Sequence, residues 1–72
     1  MKLHTVNITE YMNGAISSIH SFTDDEEGNK EAEKYFKAIL KEYDIRKRDI
    51  DIALEDGIYE ENDWQVFLTH SS

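Results

Sequence analysis

An Asn-Gly pair at Asn13-Gly14, set between two runs of alternating polarity, constrains this chain more than any other feature. Both residue types tolerate positive φ, which the two central positions of a type I′ turn require, and that turn suits the twist of paired strands. Before it, Leu3, Thr5, Asn7, Thr9 and Tyr11 fall on one side while His4, Val6, Ile8, Glu10 and Met12 fall on the other. After it, Ala15 to Phe22 resumes with β-branched and aromatic residues, so a two-residue hairpin is expected. Counting outward, Met12 meets Ala15, with Ile8–Ile19 and Val6–Ser21 on one face and Tyr11–Ile16 and Thr5–Phe22 on the other. By this register His4 and His20 point to opposite faces.

The period then changes. Ala32, Tyr35, Phe36, Ile39, Leu40 and Tyr43 recur at steps of three and four and form one apolar helical stripe, read as core. Two starts remain open: a capping box at Thr23-Asp24-Asp25-Glu26, or an Asn29 cap with 23–28 as an acidic loop. From Asp49 to Leu54, Ile50, Ile52 and Leu54 alternate with Asp49, Asp51 and Ala53, which predicts a third strand. Asp56-Gly57 interrupts that strand as a bulge or bend and Ile58-Tyr59 resumes it, with the chain reversing within Glu60 to Asp63 before Trp64 to His70. An alternative puts the turn at Glu55 to Gly57 with a short extra strand, because Asp-Gly also signals a hairpin.

Assembled, the elements predict one small α+β domain over residues 1–72: a two-layer β-β-α-β-β fold, four antiparallel strands with one helix packed on one face. A single helix leaves the other face open, where Leu3, Tyr11, Ile16, Phe22 and Phe67 would form an apolar surface for a homodimer or another partner.

At 72 residues the chain buries only about 60% of its unfolded surface, so a deep substrate cleft is not expected. The absence of cysteine excludes disulfides, thiol nucleophiles, zinc ribbons and iron–sulfur clusters. No apolar run follows Met1 to Thr5, so neither a signal peptide nor a membrane span is expected, and a cytoplasmic location is the default. Asp49-x-Asp51 opens like a calcium loop, yet Ala53 and Leu54 occupy the fifth and sixth positions, where an oxygen ligand and glycine belong. His4, His20 and His70 lack metal-ligand spacing, and neither a phosphate-cradling glycine loop nor a nucleophile elbow is present. The expectation is a protein without cofactor, metal or catalytic residues.

Charge is the informative feature. Residues 30–48 carry seven of the eight Lys and Arg against four acids, net +3, whereas residues 49–72 carry seven acids and no Lys or Arg, net −7. On a strand, Asp49, Asp51 and Glu55 would form a linear row spaced by roughly 6.6–6.8 Å per two residues, close to every second phosphate of a DNA strand at about 3.4 Å each. Asp56, Glu60, Glu61 and Asp63 extend the acidic surface, with Tyr59 and Trp64 as aromatic anchors of the kind enriched at interfaces. A second acidic cluster spans Asp24 to Glu27, and Arg46-Lys47-Arg48 reads as a charged connector. A net charge of −8 disfavours nucleic acid and anionic membrane as direct partners and favours a basic protein surface.

In length, in the Asn13-Gly14 hairpin, in the Ala32 to Tyr43 helix and in its acidic closing hairpin, the whole chain resembles the small inhibitors that bacteriophages and other mobile elements encode against host machinery, anti-CRISPR and DNA-mimic proteins among them. The resemblance lies in architecture and charge and carries over no site residues. It implies stoichiometric, non-enzymatic binding in the host cytoplasm to a basic, nucleic-acid-binding host protein.

Overall fold

A computed structural model describes residues 4–71. The Asn13-Gly14 turn forms as its chemistry requires, with φ of 54° and 81°, and joins β1 (Thr5–Met12) to β2 (Ala15–Thr23). Helices α1 (Glu26–Glu42) and α2 (Lys47–Asp56) follow, and then a second hairpin of β3 (Ile58–Glu61) and β4 (Trp64–Ser71), closed by a turn at Asn62-Asp63. The strands make one antiparallel sheet in the order β2-β1-β4-β3, so the first and last strands are its centre. The α+β class and the four-stranded antiparallel sheet are as expected; the single-helix order is not.

The third strand expected over Asp49 to Leu54 is instead α2. Six alternating residues satisfy both periods, and here the helical one wins: Ile50 and Ala53 are buried, Leu54 packs against the core, and Ile52 is 50% exposed. The Asp56-Gly57 break is accordingly no strand bulge but a helix end, with Gly57 in the left-handed region at φ 76° and its N–H donating to the Ala53 carbonyl (2.7 Å). The second chain reversal lies within the expected Glu60 to Asp63 segment.

The hairpin register also departs from the count. Met12–Ala15 and Tyr11–Ile16 pair as expected, but Ser17 is then an extra residue, a β-bulge that pairs Ile8 with His20, Thr9 with Ile19 and Val6 with Phe22. The shift places Phe22 on the helix-covered face against Tyr35, with ring centroids 5.9 Å apart, and His20 on that face at 4.5 Å from the same ring. Full burial of a phenylalanine is worth about 1.5–3 kcal/mol, and the bulged register gains the part of it that a half-buried Phe22 realises. On the open face Tyr11, Ile16 and Phe67 stand as expected, joined by Ile19 and Ile58; Leu3 lies outside the described residues.

The helix starts at neither anticipated cap. Asp25 is the N-cap, its carboxylate accepting from the Gly28 N–H (2.6 Å), and the Thr23 hydroxyl donates to the same Oδ1 (3.1 Å). From there α1 lays Ala32, Phe36, Ile39 and Leu40 over Val6, Ile8 and Val66 of the sheet, and α2 adds Ile50 and Ala53. Tyr43, counted in the stripe, is not core: it caps the end of α1 and is 46% exposed. No helix among the described residues is long and apolar enough to cross a membrane.

Gly28 is buried where α1 passes the end of β2, and a Cβ at this position would collide with the Thr23 carbonyl oxygen. Gly28→Ala gains up to about 1 kcal/mol of helix propensity but forces α1 off the sheet, at about 1–3 kcal/mol. A net loss of stability in urea unfolding is expected; a stabilised variant would show that α1 can shift at no cost.

Candidate functional site: an acidic and aromatic sheet end

Both hairpin turns lie at one end of the sheet, where Met12 is paired with Trp64 and the Asn13 N–H donates to the Asp63 carbonyl (2.7 Å). The C-terminus of α1 reaches the same end and lays Tyr43 on Trp64, with centroids at 4.1 Å and ring planes 23° apart. Tyr59 approaches Trp64 from β3 at 5.5 Å. Trp64 is thereby 6% exposed, and its indole Nε1–H is buried without an acceptor among the described residues. Such an orphan donor costs about 1–3 kcal/mol and is uncommon enough in folded proteins to require an explanation. Met12, Tyr43, Glu61, Asn62, Asp63 and Trp64 line an open depression of about 400 Å³.

Of the residues expected to bind a partner, the fold gathers Tyr59, Glu61, Asp63 and Trp64. Glu61 accepts from the Tyr59 hydroxyl (3.3 Å), and the charge of Asp49 is felt at Tyr59 as well. Glu60 is on the opposite face of the sheet, where it accepts from the Gln65 amide (3.1 Å). Asp49, Asp51, Glu55 and Asp56 lie on α2, so the expected linear row does not exist: in a helix, residues two apart point to different sides. Asp51 instead lines a separate basic depression of about 320 Å³, shared by Lys37, Lys41 and Lys47 between the two helices. Met12 and Tyr43 were not expected in the site. Tyr43 ends an apolar stripe, and nothing in the stripe distinguishes its last residue from its core members.

All seven acids of residues 49–72 are exposed. Among the described residues Lys30 pairs with Glu26 (3.8 Å) and the His70 imidazole lies 3.6 Å from the Asp24 carboxylate, and no ion pair joins Asp49 or Asp51 to Arg46, Lys47 or Arg48. No direct ion pair among the described residues neutralises these acids, and of them Asp51 alone shares a depression with lysines. The Asp24 to Glu27 cluster differs, being engaged in structure. Asp25 caps α1, while Asp24 accepts from the Asn29 amide (2.8 Å), which with the nearby His70 holds its carboxyl below the usual carboxylate range.

Helix α2 carries its charge against its own dipole. Arg46, Lys47 and Arg48 crowd the positive end, where Asp49 is the one acid of favourable sign, Arg46 makes no side-chain cap, and Glu55 and Asp56 occupy the negative end, where basic residues would be stabilising. The described residues hold no group of three or more His, Asp or Glu arranged for a metal ion.

Burial, and then the charge and hydrogen bond of Glu61, push the Tyr59 hydroxyl above its ordinary value. A raised pKa makes the folded state hold this proton more tightly, so the associated stability is complete below pH ~10 and is lost as pH rises through the folded value. Ultraviolet titration should therefore show a late-ionising tyrosine that Tyr59→Phe removes; a late step retained in that variant, with the loss falling on the earlier ones, would dissociate Tyr59 from the acidic cluster. Comparison with known proteins adds no further constraint: no family model matches the chain, and no curated protein or solved structure matches it significantly.

Proposed function

We propose that this protein is a non-enzymatic interaction module that docks its acidic end on a basic protein surface. The observation that carries this reading is the set of exposed carboxylates on α2 and the β3–β4 turn that make no ion pair among the described residues, those of the turn adjoining the Tyr43–Trp64 stack. Unpaired charge in water steers encounter and sets orientation, while partly exposed aromatic rings supply contact area at low entropic cost. Exposed carboxylates in a shallow depression suit docking better than acid–base catalysis, which needs a desolvated group. The resemblance to phage-encoded inhibitors favours a nucleic-acid-binding host protein as target, met in the host cytoplasm. The strand-spaced match to DNA phosphates forms no part of this proposal, since Asp49 and Asp51 are helical.

The reversed charge on α2 gives a sharp test. Glu55→Lys with Asp56→Lys should stabilise the helix by about 0.3–1 kcal/mol per site, yet capture fewer partners from bacterial lysate, with bound proteins eluting at lower salt. Duplex DNA should compete with the parent protein for the same partners. Capture by the double variant equal to that of the parent would overturn the reading, and its higher stability would show that unfolding is not the cause of a loss.

A second reading, homodimerisation through the open sheet face, is favoured by the row Ile19–Thr9–Phe67–Ile58 that crosses all four strands, with Ile16 and Ile19 57% and 56% exposed. Sedimentation equilibrium should then give a dimer that Ile19→Lys dissociates. A monomer at high concentration would remove it.

A further inference from the structure

Tyr43 is nearly half exposed although one face of its ring is stacked on Trp64, so the opposite face and edge are open to solvent. Tyr43 lines the depression whose other walls are Met12, Trp64 and the Glu61-Asn62-Asp63 turn. The site thus places an aromatic face, a polarisable thioether and two carboxylates around one open volume. Asp63 has no side-chain hydrogen bond or ion pair among the described residues, and Glu61 is held in place by the Tyr59 hydroxyl.

Resting on the docking reading above, we infer that this depression receives one arginine side chain of the partner, its guanidinium stacked on the free face of Tyr43 and paired with Asp63 and Glu61. An aromatic face attracts a cation through its quadrupole, and carboxylates supply the counter-charge. Between the two basic side chains, the geometry selects arginine. Its guanidinium is planar, weakly hydrated and able to meet a carboxylate through two parallel N–H donors while stacked, whereas a lysine ammonium is compact and keeps its water. Met12 adapts its shape to the methylene stem, as methionine does at recognition surfaces.

Trp64 is the only tryptophan in the chain, so its fluorescence reports on this site alone. Titration with acetyl-Gly-Arg-Gly-amide should change that emission at roughly tenfold lower concentration than acetyl-Gly-Lys-Gly-amide at equal ionic strength. Tyr43→Ala and Asp63→Asn should each weaken the arginine response by about tenfold, and Tyr43→Phe, which keeps the stacking face, should retain it. Asp63→Asn changes only an exposed turn carboxylate and covers the case in which Tyr43→Ala fails to fold. Equal responses to the two peptides, or an arginine response untouched by Asp63→Asn and by a folded Tyr43→Ala, overturn the pocket. If charge-dependent capture from lysate persists alongside either result, the docking surface stands without it. Loss of charge-dependent capture overturns the docking surface and, with it, a partner's arginine as the occupant.

Discussion

The pairing of β1 with β4 is the interaction on which the rest of the molecule depends. Eight residue pairs, from Thr5–Ser71 to Met12–Trp64, join the two ends of the chain at the centre of the sheet. Without it the protein is two separate hairpins, each marginal in water. With it, Val6, Ile8, Trp64 and Val66 become one apolar floor, and α1 and α2 have a common surface to cover. The floor and the helices above it bury Phe36, Leu40, Ile8, Val6 and Val66 almost completely, each worth about 1.5–3 kcal/mol. That gain offsets the closing of a loop nearly as long as the chain, a cost that grows only with the logarithm of loop length. The candidate site is a direct product of the same pairing, because Met12 and Trp64 are neighbours only across it.

What was legible in the sequence was what is decided locally. Asn13-Gly14 specifies its turn through backbone preference alone, and the α1 stripe is long enough for one period to exclude the other. Asp49 to Leu54 is too short for that. Its alternation describes a strand and its Ile50, Ala53 and Leu54 describe a helix, and the choice is made by contact with α1 and β3, which no local window contains. The Ser17 bulge was invisible for a related reason: it exists so that Phe22 can reach Tyr35, a residue of a different element. In the site, Tyr59, Glu61, Asp63 and Trp64 were accessible to sequence reasoning because one hairpin carries them all. Tyr43 and Met12 arrive from distant segments, and Asp51 and Glu60 were misplaced by a period and by a face.

Helix α2 is the least self-supporting element of the fold. Its first turn lacks a side-chain cap, its charges oppose its dipole, and its attachment is limited to Ile50, Ala53 and a partly buried Leu54. Its register is therefore held by packing and by the left-handed Gly57 that ends it, whose carbonyl accepts from the Leu68 N–H (2.8 Å). A sequence that crowds three bases onto a helix start beside a single acid, Asp49, and leaves its last turn without a base departs from local consistency, and such departures concentrate where a surface serves something other than stability.

The central pairing has a geometric corollary. Thr5 and Ser71 are cross-strand neighbours at one end of the sheet, and Met12 and Trp64 are neighbours at the other, seven residues or roughly 24 Å along the strands. Thr5 and Ser71 thus stand together at the end of the two central strands that is remote from the aromatic stack.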